Sequence, residues 1–374
     1  MSFFSYITLG DIVKKIFLFI IGLMLMVNNA KAFDSSATST ILMDTDSNRI
    51  MYAKNIHNVR SVASISKIMT AILAIESNKL DSIVTIGDET NSSYGSGIYI
   101  KKGEEIKLRD LVYGLMLRSG NDAALAIAHY VGGSVDKFVE MMNTKAKEIG
   151  MENTTFNNPS GLDEEKGNYS TAYDMAILTS YAMKNKDYQV IVGTKKYKLE
   201  TNKNVYSWTN KNKLLNSYEY TTGGKTGYTK KAKRTLVTTA SKDNLNLVVV
   251  TLNDGNDWED HKKLYEEAFN TYKSYKILQK GIIDIYDEKY YNNKEFYLKN
   301  NFSYPLLDSE KDTIILKIKL NKDRKYKNNQ KIGTVQVIVS DKKVYIDDIY
   351  MRDKIKEKDN FIDKVKRWLK IDDK

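Results

Sequence analysis

Cysteine is absent from this 374-residue chain, which rules out a disulfide framework and thiol chemistry alike. Long apolar runs are missing as well: the unbroken one from Ile16 to Val27 is about a dozen residues, short of the roughly 20 that a membrane-crossing helix needs. So is compositional bias, since 28% charged and 42% hydrophobic residues are ordinary globular values with no disordered or collagen-like signature. No internal repeat is evident. What is present is enough chain to bury one large core and a smaller one, hence two domains. The formal charge of +11 implies an anionic partner. Nucleic acid, an acidic membrane surface and an anionic cell-wall polymer all fit, and composition does not choose among them.

The N-terminus narrows the field. Lys14 and Lys15 precede the apolar run, and Ala30 and Ala32 frame an A-x-A site, the pattern of a signal peptide (1–32) removed after Ala32. An uncleaved N-terminal anchor is the alternative. Export argues against a nucleic-acid partner. Further on, Thr40 to Met43 and Arg49 to Ala53 read as a hairpin around D-T-D-S-N. A helix from Ser64 to Ser77 is apolar on nearly every side and therefore buried. Leu108 to Leu117, Ala123 to Val131, Val135 to Ile149 and Thr171 to Met183 carry helical spacing. Thr235 to Ser241 and Leu245 to Leu252 alternate with period two around Lys242-Asp243-Asn244, an antiparallel hairpin on which a helix from Asp257 to Tyr275 should pack.

From 276 to 352 the helices stop. Ile282 to Tyr286, Glu295 to Leu298, Thr313 to Leu320, Lys331 to Val339 and Lys343 to Ile349 read as short strands of a small all-β domain. In the tail, 353–374, Phe361, Ile362, Val365, Trp368 and Leu369 share one helical face, with Lys364, Lys366, Arg367 and Lys370 on the other. Such a basic amphipathic helix either docks on its own domain or lies on an anionic membrane, where each basic residue contributes roughly 1 kcal/mol.

The buried helix raises a chemical question, because Ser64 and Lys67 stand on its apolar face. Positions three apart meet on a helix, so the lysine amine can reach the serine hydroxyl. A serine nucleophile needs an adjacent, unprotonated base. For lysine that means a fall of roughly three units from about 10.4, or about 4 kcal/mol, which a desolvated site beside another cation supplies. The same S-x-x-K spacing at Ser134 to Lys137 and at Ser340 to Lys343 falls in surface contexts. Ser119-Gly120-Asn121 joins two helices; a Gly C-cap and an Asn N-cap explain it without Ser119. Lys225-Thr226-Gly227 opens the later hairpin, where a glycine-rich turn leaves Lys225 unexplained.

In this order, S-x-x-K, S-x-N and K-T-G resemble the penicillin-binding protein and serine β-lactamase superfamily. The flanks, R-S-V-A-S-I-S-K-I-M-T, L-M-L-R-S-G-N-D-A-A, F-N-N-P-S-G-L, Y-S-T-A-Y-D-M-A and G-G-K-T-G-Y-T-K-K-A, look like low-molecular-mass D-alanyl-D-alanine carboxypeptidases from about Ala37 onward. The resemblance implies an α/β (α+β) transpeptidase/β-lactamase-like catalytic domain (33–275), an antiparallel sheet flanked by helices, followed by the all-β domain and the terminal helix. It implies no cofactor and no metal, a peptidoglycan stem peptide as substrate, and β-lactam antibiotics as covalent inhibitors. Ser64 would be the nucleophile, Lys67 its base and Ser119 a proton relay. Asn121, Lys225, Thr226, Gly227 and Tyr228 would bind substrate, Lys225 also depressing Lys67, with the N–H groups of Ser64 and Tyr228 as oxyanion hole. Histidine is not needed: His129 lies in a helical apolar run, and His57 and His261 read as surface.

Departures from the family pattern border the cleft: Asn168 where a His is common, Lys233 where a Gly is usual, and Ser61-Val62 for a pair containing Pro. The alternatives are a DD-endopeptidase; a β-lactamase, which needs an added carboxylate such as Glu164 or Glu165; and a non-enzymatic wall-binding protein.

Overall fold

The structure is a computed structural model and describes residues 33–163, 166–285, 291, 294–321 and 327–354. The signal segment, Glu164, Glu165 and residues 355–374 of the tail lie outside the described residues.

The chain opens with the expected hairpin, β1 (Ser39–Asp44) and β2 (Ile50–Lys54). Its turn is set by Asp44, whose carboxylate accepts from the Ser47 N–H at 2.8 Å and the Ser47 hydroxyl at 2.6 Å. A 3₁₀ turn, Ala63–Ser66, then runs into α1 (Lys67–Glu76), so the serine expected inside the helix sits one turn ahead of it. α2 (Leu108–Tyr113) passes into a π-helical turn, Gly114–Arg118. α3 (Asn121–Gly132), α4 (Val135–Glu148), α5 (Ala172–Ala182) and α6 (Lys186–Gly193) follow, with α4 and α5 starting on Ser134 and Thr171 caps.

β3 (Thr221–Thr229), β4 (Lys233–Lys242) and β5 (Leu245–Leu252) complete an antiparallel sheet of order β2-β1-β5-β4-β3. The turn between β4 and β5 puts Asp243 at φ 51° and Asn244 at φ 62°, the left-handed pair that a two-residue hairpin loop requires. Because side chains alternate along a strand, Val248, Val250 and Leu252 face one layer, with α1 and α5, while Leu247 and Val249 face α7 (Asp257–Thr271) through Leu264, Tyr265 and Ala268. A sheet buried on both faces explains why β5 is apolar almost throughout.

α7 ends at Thr271 and not at Tyr275, because Lys273–Leu278 already forms strand β6. β7 (Gly281–Ile283), β8 (Lys294–Leu298), β9 (Phe302–Leu306), β10 (Ile315–Leu320), β11 (Gln330–Val339) and β12 (Lys342–Asp353) follow. β6 pairs with β9, and the rest form a sheet of order β7-β8-β12-β11-β10. Their own core includes Phe296, Leu298, Phe302, Leu306, Val337, Ile349 and Met351. Arg49 joins the two parts. It pairs with Glu310 at 2.8 Å, donates to the Pro305 carbonyl at 2.6 Å and lies 5.0 and 5.1 Å from the ring centres of Tyr272 and Tyr304.

His261 corrects the sequence expectation: it is fully buried behind the sheet, with Nδ1 2.7 Å from the Thr238 hydroxyl and Nε2 3.0 Å from that of Thr251. His57 and His129 are exposed. Burial pushes the His261 pKa down to about 3, against a partial lift from Asp260. The folded state thus binds its proton far more weakly than the unfolded chain, whose imidazole titrates near 6.5. This contribution to stability is complete above about pH 6.5 and is lost as pH falls from there toward 3. His261→Gln should therefore show a shallower fall in Tm between pH 7 and 5 than the wild type, measured by calorimetry. Equal slopes would contradict the account.

Candidate active site

Ser64 is delivered by a strained turn. The preceding Ala63 is held at φ 51°, and Ser119 across the cleft at φ 64°, left-handed conformations that cost a residue other than glycine about 1 kcal/mol or more each. Neighbouring backbone packs against the serine turn. Gly161 at φ 78° packs so closely that a Cβ would lie 2.1 Å from the Ala63 carbonyl oxygen. A Cβ on Gly227 would lie 2.4 Å from Thr235 Oγ1 and 3.1 Å from the Ser64 nitrogen, so the glycine of K-T-G lets β3 press against the serine turn.

The lysine expected to serve Ser64 reaches it. Lys67 is fully buried, and its Nζ lies 3.1 Å from Ser64 Oγ and 2.7 Å from Asn121 Oδ1, and also donates to the Ser160 carbonyl. Asn121 does not cap its helix; its amide nitrogen donates to the Tyr94 carbonyl at 2.6 Å, leaving its oxygen for the lysine. Lys225, 1% exposed, donates to Ser119 Oγ at 3.0 Å and to the Thr226 carbonyl at 2.6 Å. β3 holds it by pairing Lys225 with Val237 and Gly227 with Thr235. Ser64, Ser119, Thr226, Gly227 and Tyr228 line one cleft of about 480 Å³, with Tyr228 largely exposed at its edge.

Burial lowers the pKa of Lys67 to about 7; the charge of Lys211 adds to the fall, and Asp122 opposes it. Lys225 is pushed well below its ordinary value, again mainly by burial, with Lys67 and Lys211 adding repulsion. Two buried amines without a carboxylate partner thus share a cleft that disfavours two charges. The arrangement can deprotonate a hydroxyl and then attack an electrophilic carbonyl.

The other S-x-x-K sites stay structural. Ser134 caps α4 by accepting from the Lys137 N–H, and Ser340 sits in a turn at φ 46°. The family departures find physical accounts as well. Asn168 is buried, accepts from the Asn157 and Asn158 N–H groups at 2.7 and 3.1 Å and donates to the Asn158 carbonyl at 2.9 Å, so its amide braces the loop carrying Ser160. Lys233 adopts φ 60°, which shows why glycine suits that turn. Ser61 donates to Asp163 at 2.6 Å. Sequence reasoning missed Ser160, which acts through its backbone carbonyl, and Lys211, which no motif marks.

Residues 26–256 match the family model described as D-alanyl-D-alanine carboxypeptidase. The chain belongs to that family. Among its relatives is the D-alanyl-D-alanine carboxypeptidase DacF of Bacillus subtilis, 34% identical over 282 residues, or 70% of this chain and 72% of that one. A D-alanyl-D-alanine carboxypeptidase of a Streptomyces species is 36% identical over 225 residues, 55% of this chain and 77% of that one. Among solved structures, penicillin binding protein 5 from Haemophilus influenzae superposes with a TM-score of 0.72 at 26% identity, covering 86% of this chain and 98% of that one. The superposition takes in both parts of the fold.

Within this family site, Gly227→Ala is expected to force β3 away from Ser64 and cost about 2 kcal/mol, read as a lower Tm. An unchanged Tm would mean that the strand can slide without penalty.

Proposed function

We propose that the protein is a serine D-alanyl-D-alanine carboxypeptidase, which removes the terminal D-alanine of peptidoglycan stem pentapeptides through an acyl-enzyme. The observation that carries this reading is the contact at 3.1 Å between the buried Lys67 amine and Ser64 Oγ, in one cleft with the pair Lys225 and Ser119. The Ser64 oxygen attacks the carbonyl of the penultimate D-alanine as its proton passes to Lys67. Collapse of the tetrahedral adduct breaks the C–N bond, and a proton delivered through Ser119 leaves with the amine of the departing D-alanine. Water then attacks the ester and Ser64 regains its proton. The Ser64 and Tyr228 N–H groups form the oxyanion hole, worth on the order of a hundredfold to a thousandfold per donor. Asn121 binds the substrate amide; Lys225, Thr226 and Gly227 receive its terminal carboxylate. A β-lactam, a cyclic amide of similar shape, acylates the same serine and stays attached.

Export through the N-terminal segment puts this activity outside the cytoplasm. The division into a catalytic unit (33–275) and a β-rich unit (276–352) is supported by their separate hydrophobic cores. The tail, 353–374, is a peripheral membrane contact, a reading supported by its sequence pattern of apolar residues at helical spacing opposite basic ones. The positive face of the tail suits an anionic surface.

Ser64→Ala should abolish both free D-alanine release from a stem pentapeptide and covalent labelling by a fluorescent penicillin, while the Tm stays near that of the wild type. Hydrolysis surviving in the variant would reassign the nucleophile. Deletion of 356–374 should move the protein from the membrane pellet to the supernatant, and a truncated form that still pellets would refute the anchor.

A further inference from the structure

Lys211 enters the cleft by a route that no motif announces. Its N–H donates to the Leu117 carbonyl at 3.1 Å, just ahead of Ser119. The next residue, Asn212, is buried and donates to the Gly223 carbonyl at 3.1 Å, just ahead of Lys225. Lys211 is therefore fixed between the two segments that carry the other motifs, and it lines the same cleft as Ser64 and Ser119. Its amine donates to Ser96 Oγ at 3.2 Å, while the Ser96 carbonyl accepts from the Asn121 N–H at 2.7 Å. Among the described residues no carboxylate pairs with Lys211.

We propose that Lys211 is the third lysine of the catalytic group, a positioning residue whose unpaired charge at the cleft wall, added to burial, favours the neutral Lys67 amine that accepts the proton of Ser64. The proposal rests on the reading of Ser64 and Lys67 as nucleophile and base. The charged groups around Lys67 leave this part to Lys211. Asp122, on α3, acts in the opposite sense, but its carboxylate accepts from the backbone N–H groups of Ile98 at 3.0 Å, Tyr99 at 2.6 Å and Ala123 at 2.9 Å. Lys225, on β3, is buried like Lys67 and is itself pushed toward the neutral form by burial and by its neighbours. Arg118 donates to the Thr209 carbonyl at 3.2 Å and acts on Lys211 by charge repulsion. Lys211 is exposed to solvent at the cleft wall; partial burial and the charge of Arg118 lower its pKa, but it is far less buried than Lys225, and its influence is screened by salt.

The test is a titration of Lys67 by NMR in protein carrying ¹³C-labelled lysine, with Lys67 assigned by substitution and no substrate needed. Lys211→Met should raise the Lys67 midpoint by roughly half a pH unit, while Lys211→Arg leaves it in place. In the wild type, salt at about 1 M, where screening acts within roughly 3 Å, should shift the midpoint toward that of Lys211→Met. An unmoved midpoint in Lys211→Met overturns the proposal. If KM for the stem peptide rises instead, Lys211 is a contact for a substrate anion; if neither changes, it is a surface charge. A midpoint that moves in a protein releasing no D-alanine would sink the carboxypeptidase reading while leaving the electrostatic role of Lys211 intact.

Discussion

A primary amine taken wholly out of water is the constraint around which this protein is built. Lys67 has no exposure, and its hydrogen-bond partners are a hydroxyl, an amide oxygen and a backbone carbonyl. None carries a negative charge that would repay desolvation of an ammonium group, so the neutral amine is favoured. The apolar helix that follows and the close approach of Gly161 keep water out. The strain at Ala63 and Ser119 is what remains of forcing so many backbone groups toward one side chain.

Rigidity for that arrangement comes from the sheet. β5 is covered on both faces, so the strands beside it cannot tilt without opening one core or the other. β3 hangs on β4 through an unbroken register from Gly223 to Thr229, which fixes Lys225 inward and presses Gly227 on the serine turn. At the far edge Arg49 fastens the first hairpin to the β-rich part through Glu310, Pro305 and two tyrosine rings. The orientation of the cleft relative to that part is thereby held by partly buried contacts and not by a linker alone.

Much of this was legible in the sequence where the signal is local. Ser64 and Lys67 stood out because three-residue spacing and an apolar helix are neighbouring facts, and the same spacing at Ser134 could be set aside because Lys137 falls among the charges of a solvated helix. His261 was misread because its neighbours, Asp260, Lys262 and Lys263, are charged; the face it shares with Leu264, Tyr265 and Ala268 is the one that carries information. β9 was missed because Pro305 argues against a strand, although Phe302, Tyr304 and Leu306 alternate inward. Ser160 and Lys211 were out of reach for a different reason. A carbonyl oxygen has no residue signature, and a lysine fixed by Leu117 and Asn212 becomes part of the site only once distant segments have met.

The central claim is that Lys67 is a base because it is buried, and it is tested most directly by the rate of single-turnover acylation by a β-lactam followed from pH 5 to 10. The account predicts one ionisation with half-maximal rate near pH 7, the value to which burial brings Lys67. A rate that keeps climbing until pH 10, as for an ordinary solvated lysine, would contradict it.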